Sequence, residues 1–533
     1  MKKILAMLLL LAMCVSLFTA CVKSETPEAP NADPAQTEQT QNNTKTDAPS
    51  ENTEKPSTWL CDEPTKLYIY NNWGNTPTTD RDQEIHDLIL EITNVDIVMP
   101  DCADYYNNRS VFLASDEPID LMMESCWWAT DLIGQGAYQI VDDLVEQYGV
   151  NFKASYDESM HSFVKWDGHY YGMGGSNYQS LYGIWANKTM LEENGYSLPT
   201  TIDEFNEIVY GLKEKNPDCI PLLANWQWLQ RCFEASFSES YMDWYDTSEN
   251  LLKPDFLMPG YTDFVKQVKA WYKDGILPDF VNPATYSNDL EQTAWMTGNV
   301  AFFCNNFANG PKNISNLHEL YPDEEYVYID CLAGKDGRKG FEPRPLIPYF
   351  YAVPTKSQNA ELAIKFLDWA IGEEGFRLMH YGVEGVDYTI NDKGERVTIS
   401  DYTGCWTMAS GVGEVLYALD AEGTDDSEGS TNWLYKTYGF TGTVAPQDTY
   451  GINMNLSSIP QELKDTESAE KTTVSEVLAN YMWADGTDED WEAAKAAYAE
   501  KNAEYMKQRT ALYQSVLDAN GLTLDDIHAT LGK

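Results

Sequence analysis

The sequence predicts an α/β protein, and three observations carry that prediction. Short β-prone runs alternate with helix-period runs from Lys66 onward. The best-marked helix carries its own start and stop chemistry. The composition, 43% hydrophobic and 13% aromatic, is that of a folded chain, and its length suffices for two or three ordinary domains. Strands that alternate with helices point to right-handed βαβ units and mostly parallel sheets flanked by helices. In such sheets a ligand sits beyond the carboxyl ends of the strands.

The chain opens on an export leader, residues 1–20. Met1-Lys2-Lys3 is positively charged, and residues 4–13 form an apolar run too short to anchor a protein across a bilayer. Leu17-Phe18-Thr19-Ala20-Cys21 resembles a bacterial lipobox, which implies a lipid on Cys21 after cleavage. Residues 21–58 are almost wholly small and polar. They bury too little apolar surface to offset chain entropy and read as a flexible tether. No later stretch reaches the ~18 apolar residues of a membrane helix. The folded body is expected on the outer face of a bacterial cell membrane, held by lipid.

Lys66-Leu67-Tyr68-Ile69-Tyr70 is the first strand and ends in the turn Asn71-Asn72-Trp73-Gly74-Asn75. Ile85, Leu88, Ile89 and Ile92 follow at the spacing of one helix face. Residues 95–98 and 119–123 are the next strands. Their ends place Asn72, Trp73, Glu124, Trp127 and Trp128 on one rim. Later, Leu181-Tyr182-Gly183-Ile184-Trp185-Ala186 is a strand, and residues 188–194 are a helix stopped by Gly195, which lacks the Cβ that would clash there. Thr201 and Glu204 form a capping box that opens an amphipathic helix through Phe205, Ile208, Val209 and Leu212. Ile220-Pro221-Leu222-Leu223-Ala224 is a strand leading into Asn225-Trp226-Gln227-Trp228, and Cys304-Asn305-Asn306-Phe307 lies at a further strand exit.

The order of these pieces resembles the crossover segment of the extracellular solute-binding proteins (family 1) that serve ABC-type carbohydrate importers. Asp167-Gly168-His169-Tyr170-Tyr171-Gly172, Trp185-Ala186-Asn187-Lys188, Glu192-Glu193-Asn194-Gly195 and Pro199-Thr200-Thr201-Ile202-Asp203-Glu204-Phe205 fit it block by block. Met173-Gly174-Gly175 stands where the family carries a proline. Tyr349-Phe350-Tyr351-Ala352-Val353-Pro354 and Tyr381-Gly382-Val383-Glu384-Gly385 resemble later blocks. The resemblance implies a two-lobed, hinged, periplasmic-binding-protein-like fold (type II). Residues 60–178 and 346–404 would form the first lobe and 179–345 the second, with 405–533 supplying second-lobe, hinge and C-terminal helices. It also implies a role: a monomer that captures a sugar or oligosaccharide between its lobes and delivers it to the transmembrane permease subunits of an ABC transporter. An oligopeptide-binding receptor and a secreted glycoside hydrolase remain open beside that reading.

Sugar rings present flat C–H faces that pack on indole and phenol rings, while their hydroxyls take planar amide or carboxylate partners. Trp73, Trp127, Trp128, Trp226, Trp228 and Phe307 all fall in expected loops beside Asn or Glu. With Asn72, Glu124, Asn305, Asn306 and Trp433 they are the candidate ligand residues, Trp433 because its block resembles one near the family's lobe interface. Trp185 and Trp369 are assigned to the core. Trp491, Tyr498, Tyr505 and Leu512 recur every seven residues along a helix-prone run and share a core face. Arg109, Arg231, Arg344 or Arg377 would each give a uronic acid a cation.

Other chemistry is weakly supported. The formal net charge of −48 opposes nucleic acid and anionic lipid headgroups as partners, and disfavours a polyanionic ligand. The six histidines never take zinc-helix spacing, and neither a GxSxG elbow nor a P-loop occurs. The acidic runs 425–426 and 488–490 lack EF-hand spacing, so no cofactor is expected, although a structural calcium there stays open. Of ten cysteines, Cys14 and Cys21 belong to the leader and lipidation site. The other eight are expected as free thiols, since a core this large does not need staples.

Overall fold

Two sheets organise the computed structural model, which describes residues 58–531 apart from 73–75, 127, 156–157, 176–177, 409–416 and 453–459. The leader, Cys21, the tether through residue 57, Trp73 and Trp127 lie outside the described residues. The strands of these two sheets are β1 (Thr65–Tyr70), β2 (Val95–Val98), β3 (Leu121–Ser125), β4 (Gly172–Gly174), β5 (Tyr182–Asn187), β6 (Ile220–Leu223), β7 (Val300–Asn306), β8 (Tyr326–Ile329) and β9 (Tyr349–Ala352). The first lobe's sheet runs β2-β1-β3-β9-β4 and the second lobe's runs β8-β5-β7-β6.

Capping chemistry fixes several helix starts where the sequence places them. Thr201 and Glu204 satisfy each other's backbone N–H groups at the head of the helix Ile202–Lys215, and Gly195 takes a left-handed φ of 81° after the preceding helix. Thr79 and Asp82 do the same for the helix Asp80–Thr93.

The expectation of mostly parallel sheets needs correction. In the first lobe β1 is parallel to β2 and β3, but β9 is antiparallel to β3 and to β4. In the second lobe only β6 and β7 pair in parallel, and β5 runs against both β7 and β8. The connections explain it. A strand that returns by a helix on its own sheet enters from the far end and comes out parallel. A strand that arrives from the other lobe, as β5 and β9 do, enters at the facing end and must run the opposite way.

Both faces of β5 are buried. Tyr182, Ile184 and Ala186 point into one core with Phe205, Phe233 and Trp271, while Leu181 and Trp185 point into another with Phe303 and Trp295. Trp185 is wholly inside, as assigned, and Trp369 is half-buried against the first lobe's core. The C-terminal segment packs on both cores. Trp406, Tyr450, Tyr513, Val516, Leu517 and Ile527 belong to the first lobe's core, whereas Trp491 and Tyr498 belong to the second's. The seven-residue stripe is likewise broken. Two helices, Asp488–Lys501 and Ala503–Asn520, meet at buried Asn502, whose amide donates to Glu470. Cys61, Cys102, Cys126, Cys219, Cys232, Cys304, Cys331 and Cys405 are free thiols. Among the described residues no helix is long and apolar enough to cross a membrane.

Candidate functional site

Strand direction locates the site. β4 ends at Gly174 and β5 begins at Tyr182 in the other lobe; β8 ends at Ile329 and β9 begins at Tyr349 back in the first. The sheet ends joined by these two connectors are those where β1, β3, β6 and β7 also finish, because Tyr349 pairs with Ser125 and Tyr182 with Asn306. The carboxyl ends of the parallel strands in both lobes therefore converge on the connectors, where ligands collect in open α/β sheets.

On the first lobe this rim holds one contiguous cluster. Asn72, past the end of β1, donates its amide to the Tyr106 hydroxyl. Trp128 stands edge-on to Tyr106, with ring centroids 5.2 Å apart, and 6.4 Å from Tyr349. The Arg109 guanidinium lies 5.3 Å from the Trp128 ring and forms an ion pair with Glu124. Glu124, expected to offer its carboxylate to a ligand, is corrected on one point: it is fully buried at the end of β3. It takes a hydrogen bond from the Tyr138 hydroxyl and serves to hold Arg109. Burial pushes its carboxyl up to about 7, against the downward pull of the Arg109 charge and the Tyr138 hydrogen bond.

The second lobe repeats the device with other residues. Asn225 caps the helix Trp226–Phe233 by accepting from the Trp228 N–H at 3.2 Å. That cap sets the first turn so that Trp228 meets Tyr182 edge-on at 5.8 Å. Arg231, one turn on, lies 5.1 Å from the Trp228 ring and 4.9 Å from the Tyr182 ring. Its guanidinium pairs with Glu342 at 2.6 Å, and its carbonyl accepts from the Glu342 N–H. Burial raises the Glu342 carboxyl, with Arg231 opposing the rise before Arg344 does. Arg344 also opposes the upward push of burial on the Tyr182 hydroxyl.

The remaining candidates divide. Trp226 turns to Phe264 in a stacked contact at 5.7 Å and packs on the second lobe's core. Asn305 and Asn306 sit at the end of β7, but their side-chain oxygens accept from the backbone N–H groups of Asn306 and Asn309. Phe307 is corrected to a core residue. It is 0% exposed, edge-on to Tyr328 and Tyr435, because the turn after β7 points inward. Trp433 is half-buried on the same core beside Tyr438. Arg377 pairs with Glu373 within one helix, away from the strand ends. The sequence reading missed Tyr106, Tyr182, Glu342 and Tyr349 as rim residues; only the pairing of Tyr182 with Asn306 and of Tyr349 with Ser125 marks two of them out.

A cavity of about 610 Å³ lies elsewhere on the second lobe, where Thr201, Phe237, Lys266 and Gln267 line it. No rim residue borders it, and Lys266 is paired with Asp488, so strand ends locate the site better than volume does. Among the described residues no group of three or more His, Cys, Asp or Glu side chains is placed to hold a metal. Asp426 instead binds Lys436 and Asn432, and Asp490 caps its own helix.

Residues 93–375 match the bacterial extracellular solute-binding proteins. The chain belongs to that family. The span runs from β2 to β9 and includes Arg109, Glu124, Arg231 and Glu342. Among Bacillus subtilis proteins, the chain is 26% identical over 249 residues to the polygalacturonan/rhamnogalacturonan-binding protein YtcQ, covering 44% of this chain and 48% of that one. It is 25% identical over 227 residues to lipoprotein LipO, covering 38% of this chain and 43% of that one. The chain thus spans about half the length of each of these relatives. A human-milk-oligosaccharide (HMO) binding, ABC-transporter-associated solute-binding protein from Bifidobacterium longum infantis shares the fold. It has a TM-score of 0.59 and 13% identity, over 86% of this chain and 100% of that one.

Proposed function

We propose that this solute-binding protein captures an oligosaccharide between its two lobes and hands it to the membrane permease of an ABC importer, without altering it. One observation carries the reading. Each lobe sets a tryptophan at the converging strand ends with an arginine behind it, Trp128 with Arg109 and Trp228 with Arg231. Indole faces suit the C–H faces of sugar rings, and the guanidinium N–H groups suit hydroxyls. Ligand touching both rims favours the form in which they approach, because only that form makes both sets of contacts. The ligands that YtcQ and the Bifidobacterium protein are named for are glycans, which supports the same class.

The protein works as a monomer held by lipid on Cys21 after loss of residues 1–20, in keeping with the lipoprotein relative. Titration calorimetry and tryptophan fluorescence against a glycan panel, with product analysis, test the capture. Saturable binding with the sugar recovered intact supports it. Shortened products with new reducing ends replace it with a hydrolase, and a response to peptides alone replaces it with a peptide receptor. For the anchor, Cys21→Ser is expected to release the protein from the cell into the medium.

A further inference from the structure

Both rims carry the same arrangement: a guanidinium over an indole with a carboxylate of the chain's own already on it. In the first lobe that carboxylate is Glu124, whose side chain is 0% exposed, and Arg109 is 16% exposed. In the second it is Glu342, and Arg231 and Glu342 are each 20% exposed. The two sites share no sequence motif. Arg109 and Glu124 are 15 residues apart, on a helix and the strand after it, whereas Arg231 and Glu342 come from a helix and a connector.

A cation paired this way still donates hydrogen bonds outward, but its charge is already answered. A ligand carboxylate drawn to either arginine would lie within a few ångströms of Glu124 or Glu342, and like charges at that distance in a partly buried site repel strongly. Displacing Glu124 would leave a carboxylate buried without its partner, which is costlier still. The chain's net charge of −48 adds a long-range repulsion of the same sign. Sugar hydroxyls meet none of these penalties.

We propose that Glu124 and Glu342 set the specificity of the cleft, which takes uncharged sugar residues: Glu124 occupies Arg109 and rejects uronates at Trp128, while Glu342 lowers the attraction of Arg231 and of the neighbouring Arg344 for them at Trp228. The inference rests on the glycan-capture reading and narrows it. It also separates this chain from what the name of YtcQ states, since polygalacturonan is a chain of uronates. Specificity of this kind works by exclusion: affinity for the wrong ligand is lowered while the attractive contacts stay in place.

The test is calorimetry of the purified protein at pH 8, above the value of about 7 to which burial pushes Glu124. Size-matched neutral gluco-, manno- and galacto-oligosaccharides are compared with oligogalacturonates, using the wild type, Glu342→Gln and Glu124→Gln. The wild type is expected to bind at least one neutral series tenfold or more tighter than any uronate. In Glu342→Gln the uronate-to-neutral affinity ratio is expected to rise about tenfold, a shift of about 1.4 kcal/mol. Glu342 is half-buried in a connector, so this variant keeps the test alive if Glu124→Gln folds poorly. Wild-type preference for oligogalacturonate, or an unchanged ratio in Glu342→Gln, overturns the specificity claim and leaves glycan capture standing. Failure of every glycan to bind removes both.

Discussion

The two arginine–carboxylate pairs look alike at the rim, but they are anchored differently. Arg109 and Glu124 both belong to the first lobe, on a helix and on the strand that follows it, with Tyr138 fixing the carboxylate from behind. Arg231 belongs to the second lobe, whereas Glu342 lies in the connector that runs from β8 back to β9. The first pair therefore moves as part of one rigid unit. The second joins the helix Trp226–Phe233 to the connector, which the buried Phe341 ties to the second lobe's core.

Substitutions can break that comparison. Glu124→Ala leaves the Arg109 charge half-enclosed without a partner and is expected to cost about 3–5 kcal/mol in urea unfolding. Glu342→Ala, at a more accessible pair, is expected to cost about 1–3 kcal/mol. Equal costs would mean that the connector is as rigid as the sheet. Phe307→Ala should also lose about 3–5 kcal/mol of stability, with glycan affinity kept, because it fills core rather than cleft. Conversely, Trp128→Ala and Trp228→Ala should each weaken glycan binding about tenfold or more in calorimetry, or about 1.4 kcal/mol, with little change in melting temperature.

Titration sharpens the contrast further. Glu124 is faced by Arg109, Tyr138 and Tyr105, and its carboxyl is raised to about 7. The folded protein therefore keeps a proton that the unfolded chain releases above about 4.5. Stability is expected to fall as pH rises from 4.5 to 7, and the fall should flatten in Glu124→Gln. The smallest effect belongs to His528, which Asp448 holds above the usual histidine range. Its contribution, less than about 1 kcal/mol, should be present below pH 6.5 and vanish as pH rises past the raised pKa, with His528→Ala as the control.

Local chemistry was legible in the sequence because it acts over a few residues. The Thr201–Glu204 capping box, the turn at Gly195 and the strand ending at Tyr70 need only their neighbours, and they stand where the pattern places them. The family came from the order of such pieces. What the sequence hid depends on distant partners. Nothing near Arg231 announces Glu342, which reaches it only through the connector. Phe307 read as a loop aromatic because its burial comes from Tyr328 and Tyr435, residues far along the chain. The parallel-sheet expectation failed for a related reason. Strand direction follows from which lobe the chain has just left, and alternation of strands and helices does not record that. Trp128, Trp228 and Glu124 are candidates from their place at expected strand ends, but the pairing of Glu124 with Arg109 and the whole of Glu342 required the fold.

The division of the C-terminal helices between the lobes has a consequence for how the molecule is made. The first lobe opens with β1 at Thr65, yet its core is floored by Tyr513, Val516, Leu517 and Ile527 near the other end of the chain. A chain that emerges from its amino end exposes the first sheet early and must keep it uncovered until the last helix has arrived. Contacts so far apart in sequence form late, since the intervening loop must close first. A copy cut short at Asn502 would retain every rim residue and still leave the apolar floor of its first lobe open to proteases. Closure of that floor depends on the helix Ala503–Asn520 and not on the ligand-site residues.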